Sequence, residues 1–400
     1  MQIGDLHVHK LSGPSGFAYL MPKKEAFLRE VEEKGIFLPM IILLGDTHHS
    51  EDGRCDPCEE EKGCYLVESG SFLMALNQIA ERYPVDFYTE YYPGKKTSDG
   101  KEVLFNKFIR NTEGCYDAAL RATKKYKCNF PNMRWHYTDT RFWENKAESQ
   151  FGEAGRYIKY LSEERGLEEP DLDEKRIGIT SSRLFRDFMT RLVEARRKGI
   201  TMKGFCKGIS ILMRKFLSET PNSLVFKQLK KYDISIEFYC YFSLEYHGVV
   251  SDKKVSDDWI EPIYNYIFLG IPTSNFYKNK LAILSLLWVK YTACALDLYF
   301  LGRIFKTPRN NINSYVTIGF FGHAHSNALA SHLSSDDLYD IKYSTLESTL
   351  DSDRCVGLSD EINFNEDLET YSKWRLIQDI KLYLNNLERE KAGRAQSNEE

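Results

Sequence analysis

Three short stretches hold the residues whose types and spacing could do chemistry. "IILLGDTHHS" (residues 41–50) is apolar through Leu44, breaks at Gly45, and then offers Asp46, His48 and His49. "TIGFFGHAHS" (317–326) repeats the design with Gly322, His323 and His325, and "IGDLHVH" (3–9) supplies Gly4, Asp5, His7 and His9. Each places a histidine three residues after a glycine. Random placement of 25 glycines and nine histidines along 400 residues gives about 0.6 such pairs, so three copies are an excess. Imidazole with carboxylate suits zinc, manganese or iron, and water bound to such an ion is a nucleophile near neutral pH. Without a metal, the same side chains serve as general bases.

Chemistry of this kind needs strands that end together. A parallel strand buried on both faces finishes at the carboxyl edge of its sheet, where the crevices of α/β proteins lie, and glycine lets the backbone turn there. His48 and His325 therefore converge if their strands are neighbours. Two further predicted strands finish in carboxylates: "PVDFYTE" at Glu90, and "MRWHYTDTR" at Asp139 with Arg141 beyond it. The expected site has His48, His325 and Glu90 binding a divalent ion (Mn, Zn or Fe) or sharing general-base work on water. Asp139 is a further ligand or orienting carboxylate. Asp46, His49 and His323 are alternative ligands or partners of ligands. Arg141 holds an anionic group or a developing oxyanion. Taken singly, each of these residues reads more simply as a loop histidine or a helix-capping carboxylate, and only their convergence argues for a site. Asp5, His7 and His9 alternate as on one face of a strand, a spacing that serves metal sites or merely gives an edge strand a polar face. His136 and His247 flank aromatics and read as core or surface residues, and His332 is given no role.

The elements around these motifs set the fold class. "KKEAFLREVEEK" predicts a helix stopped by Gly35, followed by a strand into Gly45; "SGSFLMALNQIAERY" predicts a helix capped by Ser69 or Ser71. The strand to Glu90, a polar loop over 91–102, a helix over 115–126 and the strand to Asp139 come next. Alternating strands and helices predict an α/β fold with a mainly parallel sheet and crossover helices. It is interrupted by a helical insertion, since "GRYIKYLSEERG" (155–166), "SSRLFRDFMTRLVEARRKG" and "GISILMRKFLSE" are all amphipathic at helical spacing. The expected divisions are an N-terminal part of the α/β domain (1–146), the insertion (147–280), a C-terminal part of the α/β domain (281–333), and an acidic segment with a final helix and tail (334–400).

Composition limits the function. The net charge of −4 and the scattered basic residues exclude a nucleic-acid footprint. "LAILSLLWVKYTACALDLYFLGRIF" (281–305) is interrupted by Lys290, Asp297 and Arg303, so a buried core helix is expected and no membrane span. The first residues lack the pattern of a secretory signal, which predicts an intracellular origin and nine mostly reduced cysteines. Cys55, Cys58 and Cys64 leave a structural zinc open, although the usual second pair is missing and loop thiols are the plainer alternative.

The Gly45 to His48 and Gly322 to His325 pair, with Glu90 closing "VDFYTE", resembles the superfamily that joins TraB/Tiki proteins, ChaN haem-binding lipoproteins and erythromycin esterases. That resemblance implies metal-dependent or general-base hydrolysis by glutamates and histidines. The first motif departs from the usual Gly-Glu-x-His, since Asp46 follows Gly45. The layout, including "ALDLYFLGRIFK", also looks like uncharacterised proteins of large DNA viruses. This likeness implies host cytoplasm or virion as the location and a virion or host protein as a partner. The calcineurin-like metallophosphoesterase pattern is similar in "GDLHVH", "LLGDTH" and "FFGHAH" but lacks its Asn-His pair. The expected function is hydrolysis of a small-molecule or peptide substrate. The alternatives are a metallophosphoesterase and a non-enzymatic structural or interaction protein with a decayed site.

Overall fold

A computed structural model describes residues 1–46, 58, 62–67, 70–90, 108, 112, 114–115, 127–138, 183–219, 227, 229–230, 235–246, 248, 250–255, 259–269, 278–305, 313–335, 337–346 and 355–396. The expected loop 91–102, the helix 155–166 and nearly all of the helix 115–126 lie outside these residues, as do His48, His49, Cys55, Asp139, Arg141 and His247.

In chain order the elements begin with β1 (Gln2–Ile3), β2 (Leu6–His7), β3 (Lys10–Ser12), β4 (Gly16–Pro22), α1 (Lys24–Lys34), β5 (Met40–Asp46), β6 (Cys64–Leu66), α2 (Gly70–Arg82), β7 (Val85–Thr89) and β8 (Arg134–Tyr137). The helices α3 (Arg183–Arg197), α4 (Met202–Glu219), α5 (Ile236–Tyr246), α6 (Ile260–Tyr264) and α7 (Lys278–Ile304) follow. The chain continues through β9 (Val316–Gly322), α8 (His323–Ser335), β10 (Tyr339–Ser344), β11 (Cys355–Gly357) and α9 (Phe364–Gln396).

The chain divides into two compact units. Met1–Thr89, Pro93–His136 and Ile304–Glu400 make the first; Glu90–Tyr92 and Tyr137–Arg303 make the second. The first is built on a six-stranded sheet in the order β10-β4-β5-β9-β7-β8. Its centre is parallel, with Met40 opposite Val316, Asp46 opposite Gly322, and Thr89 opposite Phe320. β4 runs antiparallel to β5, placing Gly16 opposite Gly45, and β10 runs antiparallel to β4. β4, β5, β7 and β9 are buried along their whole lengths. Strands covered on both faces favour apolar residues at most positions, hence the near-continuous apolar runs in the sequence. The fold is therefore α/β with a parallel centre, and the antiparallel pair β4 and β10 is an addition that sequence patterning did not predict.

Helices close the first unit. α1 ends where Gly35, at φ 66°, points its N–H back to the carbonyls of Glu30 and Val31, a left-handed stop that suits glycine. The first half of α9 is locked down by polar contacts: the Tyr371 hydroxyl donates to the Leu38 carbonyl at 2.6 Å, and Tyr19 donates to Asp367 at 3.0 Å. Arg375 is buried, donates to the Ser314 carbonyl at 2.7 Å, and lies 3.9 Å from the Tyr315 ring centre.

A second, three-stranded sheet in the order β11-β3-β6 sits in the same unit. Here the cysteines depart from expectation. Cys58 is disulfide-bonded to Cys64 and Cys115 to Cys128, and Cys355 is also in a disulfide. Among the described residues five cysteines are thus oxidised, and Cys58 and Cys64 offer no thiolate to a structural zinc. The pairing joins sulfurs close in sequence, since Cys58 lies six positions before Cys64, the first residue of β6.

The described elements of the second unit are almost wholly helical. Phe185, Phe188, Trp288 and Tyr291 form its aromatic core, with Phe185 and Trp288 edge to face at 5.0 Å. Tyr239 donates to the buried Asp297 at 2.8 Å, and the sulfurs of Cys240 and Cys294 lie 2.7 Å apart. Among the described residues one window, Ile283–Ile304, is long and apolar enough to cross a membrane, and 67% of it is buried inside the protein.

Candidate functional site

The two Gly-x-x-His stretches end on neighbouring strands. Gly45 is opposite Phe321 and Asp46 opposite Gly322, so both turns leave the same carboxyl edge of the sheet. β4 begins at that edge because it runs the other way, and this brings the Gly13–Gly16 turn and its Ser15 beside them. β9 passes straight into α8, whose first residue is His323.

His323 is held at both ring nitrogens. Nε2 is 3.0 Å from the Leu346 carbonyl, and Nδ1 is 3.1 Å from Ser15 Oγ. A carbonyl only accepts, so Nε2 carries the proton and Nδ1 presents its lone pair to the serine. Ser15 Oγ has a second acceptor in reach, the Gly45 carbonyl at 3.2 Å, and the Ser15 N–H donates to that carbonyl at 2.7 Å. Asn327 also donates to the Leu346 carbonyl, at 2.9 Å, which fixes the group that orients the ring.

The glycines have a role beyond the turn. A Cβ on Gly16 would stand 2.9 Å from His323 Cε1 and 3.0 Å from Nδ1; on Gly45 it would stand 3.0 Å from His323 Cα and 3.2 Å from Nδ1. The ring therefore lies over a paired-glycine floor. Gly45 of the first motif makes room for His323 of the second, so the two stretches are complementary parts of one arrangement.

The remaining sequence candidates fall in different places. Asp46 is buried at the end of β5, and His325 is half-buried in the first turn of α8. Glu90 follows β7 directly, is half-buried, and belongs with the second unit. Among the described residues Asp46, His323 and His325 do not form a close group of metal-capable atoms, with one another or with Asp5 and His7. Asp5 lines a separate cavity of about 430 Å³ with Gln78, Arg82, Asn365 and Glu369. His332 is buried within α8.

His136 belongs to an ion-pair network. Asp86 on β7 accepts from Arg134 Nε at 2.5 Å and Nη2 at 2.8 Å, and lies 3.0 Å from His136 Nε2. Burial alone would raise the Asp86 pKa, but the His136 hydrogen bond and the charges of His136 and Arg134 outweigh it and hold the carboxyl below its ordinary value. Asp86 is opposite Thr317, near the start of both strands and away from the carboxyl edge, so the network braces the sheet.

The chain matches no family model, no curated protein and no solved structure. The chemistry must be argued from the atoms. A hydroxyl, an imidazole acceptor and a carbonyl that orients the imidazole are the parts of a nucleophile and its base. Sequence patterning missed Ser15 because the strand after it went unrecognised. The usable signal was "SGPSG", a turn composition, directly before the apolar run "FAYLM".

Proposed function

We propose that this chain is a hydrolase working at the carboxyl edge of β5 and β9, with Ser15 as nucleophile and His323 as general base. The observation that carries the reading is the line from Ser15 Oγ through His323 to the Leu346 carbonyl. In the reaction Ser15 Oγ bonds to an acyl carbon while its proton passes to His323 Nδ1. The proton then goes to the leaving group as the acyl bond breaks, and water, deprotonated by the same nitrogen, releases the acid and restores the serine. The Leu346 carbonyl stabilises the imidazolium that forms between these steps.

The likeness to erythromycin esterases and TraB/Tiki proteins favours the same edge. In its metal-dependent form His48, His325 and Asp46 would supply ligands. The donor types suit Mn, Zn or Fe, and the ion would supply a bound water as nucleophile. The engagement of both His323 nitrogens favours the general-base form. The substrate would be a small molecule or peptide. The disulfides weigh against residence in a reducing cytosol and favour a compartment or virion where thiols become oxidised.

The test is labelling by a fluorophosphonate together with hydrolysis of an activated short-chain ester. Ser15→Ala is expected to abolish labelling, and His323→Asn to slow both labelling and turnover by about 100-fold or more. Labelling and turnover that persist in Ser15→Ala refute the serine mechanism. Turnover that instead vanishes with a chelator favours the metal form, and no activity in any variant favours a non-enzymatic interaction protein.

A further inference from the structure

A second cluster of chemically capable side chains lies outside this site, at the head of the three-stranded sheet. His7 Nδ1 is 3.0 Å from His9 Nε2, His9 Nδ1 is 2.8 Å from Asp360 Oδ1, and His7 Nε2 is 3.8 Å from the same oxygen. One ligand atom from each residue falls within 4.8 Å of the other two. We propose that His7, His9 and Asp360 form a binding site for a divalent transition-metal ion of the zinc class, distinct from the Ser15 site and independent of the hydrolase reading.

The distances suit the ion. Ligands at about 2.0–2.2 Å from a tetrahedral zinc lie roughly 3.2–3.6 Å from one another, and one ligand atom from each of the three residues already lies within 4.8 Å of the other two, so a small rotation of these exposed side chains would bring them to the ion. Two imidazoles and one carboxylate are a common donor set for zinc, iron and copper ions. The two rings stand edge to face, 4.3 Å apart at their centres.

The ligands are also positioned before any ion arrives. The His9 N–H donates to the Gly63 carbonyl at 2.8 Å, and the Leu358 N–H donates to the His9 carbonyl at 2.7 Å. The His9 ring lies flat against Gly63, which has φ 87° and whose added Cβ would come within 2.3 Å of His9 Cδ2. Gly63 directly precedes Cys64, which is bridged to Cys58. β11, which leads to Asp360, pairs with β3, which follows His9. The segments bearing the ligands are thus tied to one small cross-linked sheet, and little ordering remains to oppose binding. All three side chains face solvent, at 51%, 42% and 62% exposure, so an ion would enter freely and keep an open coordination position for water or a further ligand. Asp360 also has the Met1 amine 3.7 Å away, a competing cation that a divalent ion would have to outbid.

The experiment is calorimetric titration of the full chain with zinc after chelator treatment and desalting, with no reducing agent present. One equivalent per chain is expected to bind. His9→Gln and Asp360→Asn should each weaken that binding by about tenfold or more, since even partners of metal ligands are worth that much. All three side chains are exposed, so the variants should melt as the unaltered chain does in the absence of zinc. A chain that takes up no zinc at about 100 µM overturns the proposal, and so does uptake equally strong in His9→Gln and Asp360→Asn. Ser15 labelling does not depend on any of these outcomes, so failure here and failure of the hydrolase reading are separable.

Discussion

Replacing Gly45 by alanine tests whether the paired-glycine floor holds the His323 ring in place. The new methyl would stand 3.0 Å from His323 Cα, 3.2 Å from Nδ1 and 3.2 Å from Leu346 Cδ2. Comfortable carbon contacts are roughly 3.5–4.0 Å, so each of the three is short. The Leu346 methyl can swing away, but His323 Cα is backbone at the start of α8 and moves only if the helix moves. Overpacking of this kind costs about 1–3 kcal/mol, and about 2 is expected here. A ring pushed back by about half an ångström stretches its hydrogen bonds, now 3.1 and 3.0 Å, beyond useful length. Misplacement on that scale can slow a reaction by about 100-fold. Urea unfolding reads the first effect and the rate of phosphonate labelling at Ser15 the second. A Gly45→Ala protein within about 0.5 kcal/mol of the parent, labelled at the parental rate, would show that the glycine is incidental and that the ring position does not depend on it.

Gly208 supplies the opposite case, because it lies inside α4 with nothing within 4 Å of an added Cβ. Gly208→Ala should raise the unfolding midpoint, by about 0.5–1 kcal/mol of helix propensity. Asp86→Asn should lose roughly 2–3 kcal/mol at pH 7, since it removes the charge that Arg134 and His136 surround. The Asp86 pKa is depressed below its ordinary 3.8. Its contribution is therefore complete well above that value and is lost as pH falls through the lower folded-state value. The stability gap between parent and variant, measured by urea unfolding, should shrink toward pH 2–3; a gap that stayed constant would remove Asp86 from the explanation.

What was legible in the sequence follows from burial. β5, β7 and β9 are covered on both faces, and their runs of apolar residues announce them. β5 and β9 are also neighbours, so the likeness of the two stretches marked strands that end side by side at Asp46 and Gly322. β10 left no such mark. "YDIKYS" is an edge strand with Asp340, Ile341 and Lys342 exposed, and its pattern is that of a polar segment. β4 was lost because "GFAYLMP" follows a turn-like "SGPSG" and ends in proline, although Pro22 sits at the strand's last position. The partner of His7 and His9 could not have been found by spacing, since Asp360 is some 350 positions away and reaches them only through the pairing of β3 with β11. The cysteine pairing was not legible either, because disulfide formation depends on which sulfurs the fold brings together.

The order of strands also fixes when this unit can fold. The central pair joins residues 40–46 to 316–322, and the edge at β4 is covered only once 339–344 has been made. A nascent chain on the ribosome therefore carries β5 paired with β4 on one side only, its other edge open until residues 316–322 have been made. Closing loops of that span is slow, and the waiting edge is sticky. Shortened versions ending before residue 316 should accumulate in inclusion bodies, and low temperature or a chaperone that shields β5 should raise the yield of the intact protein.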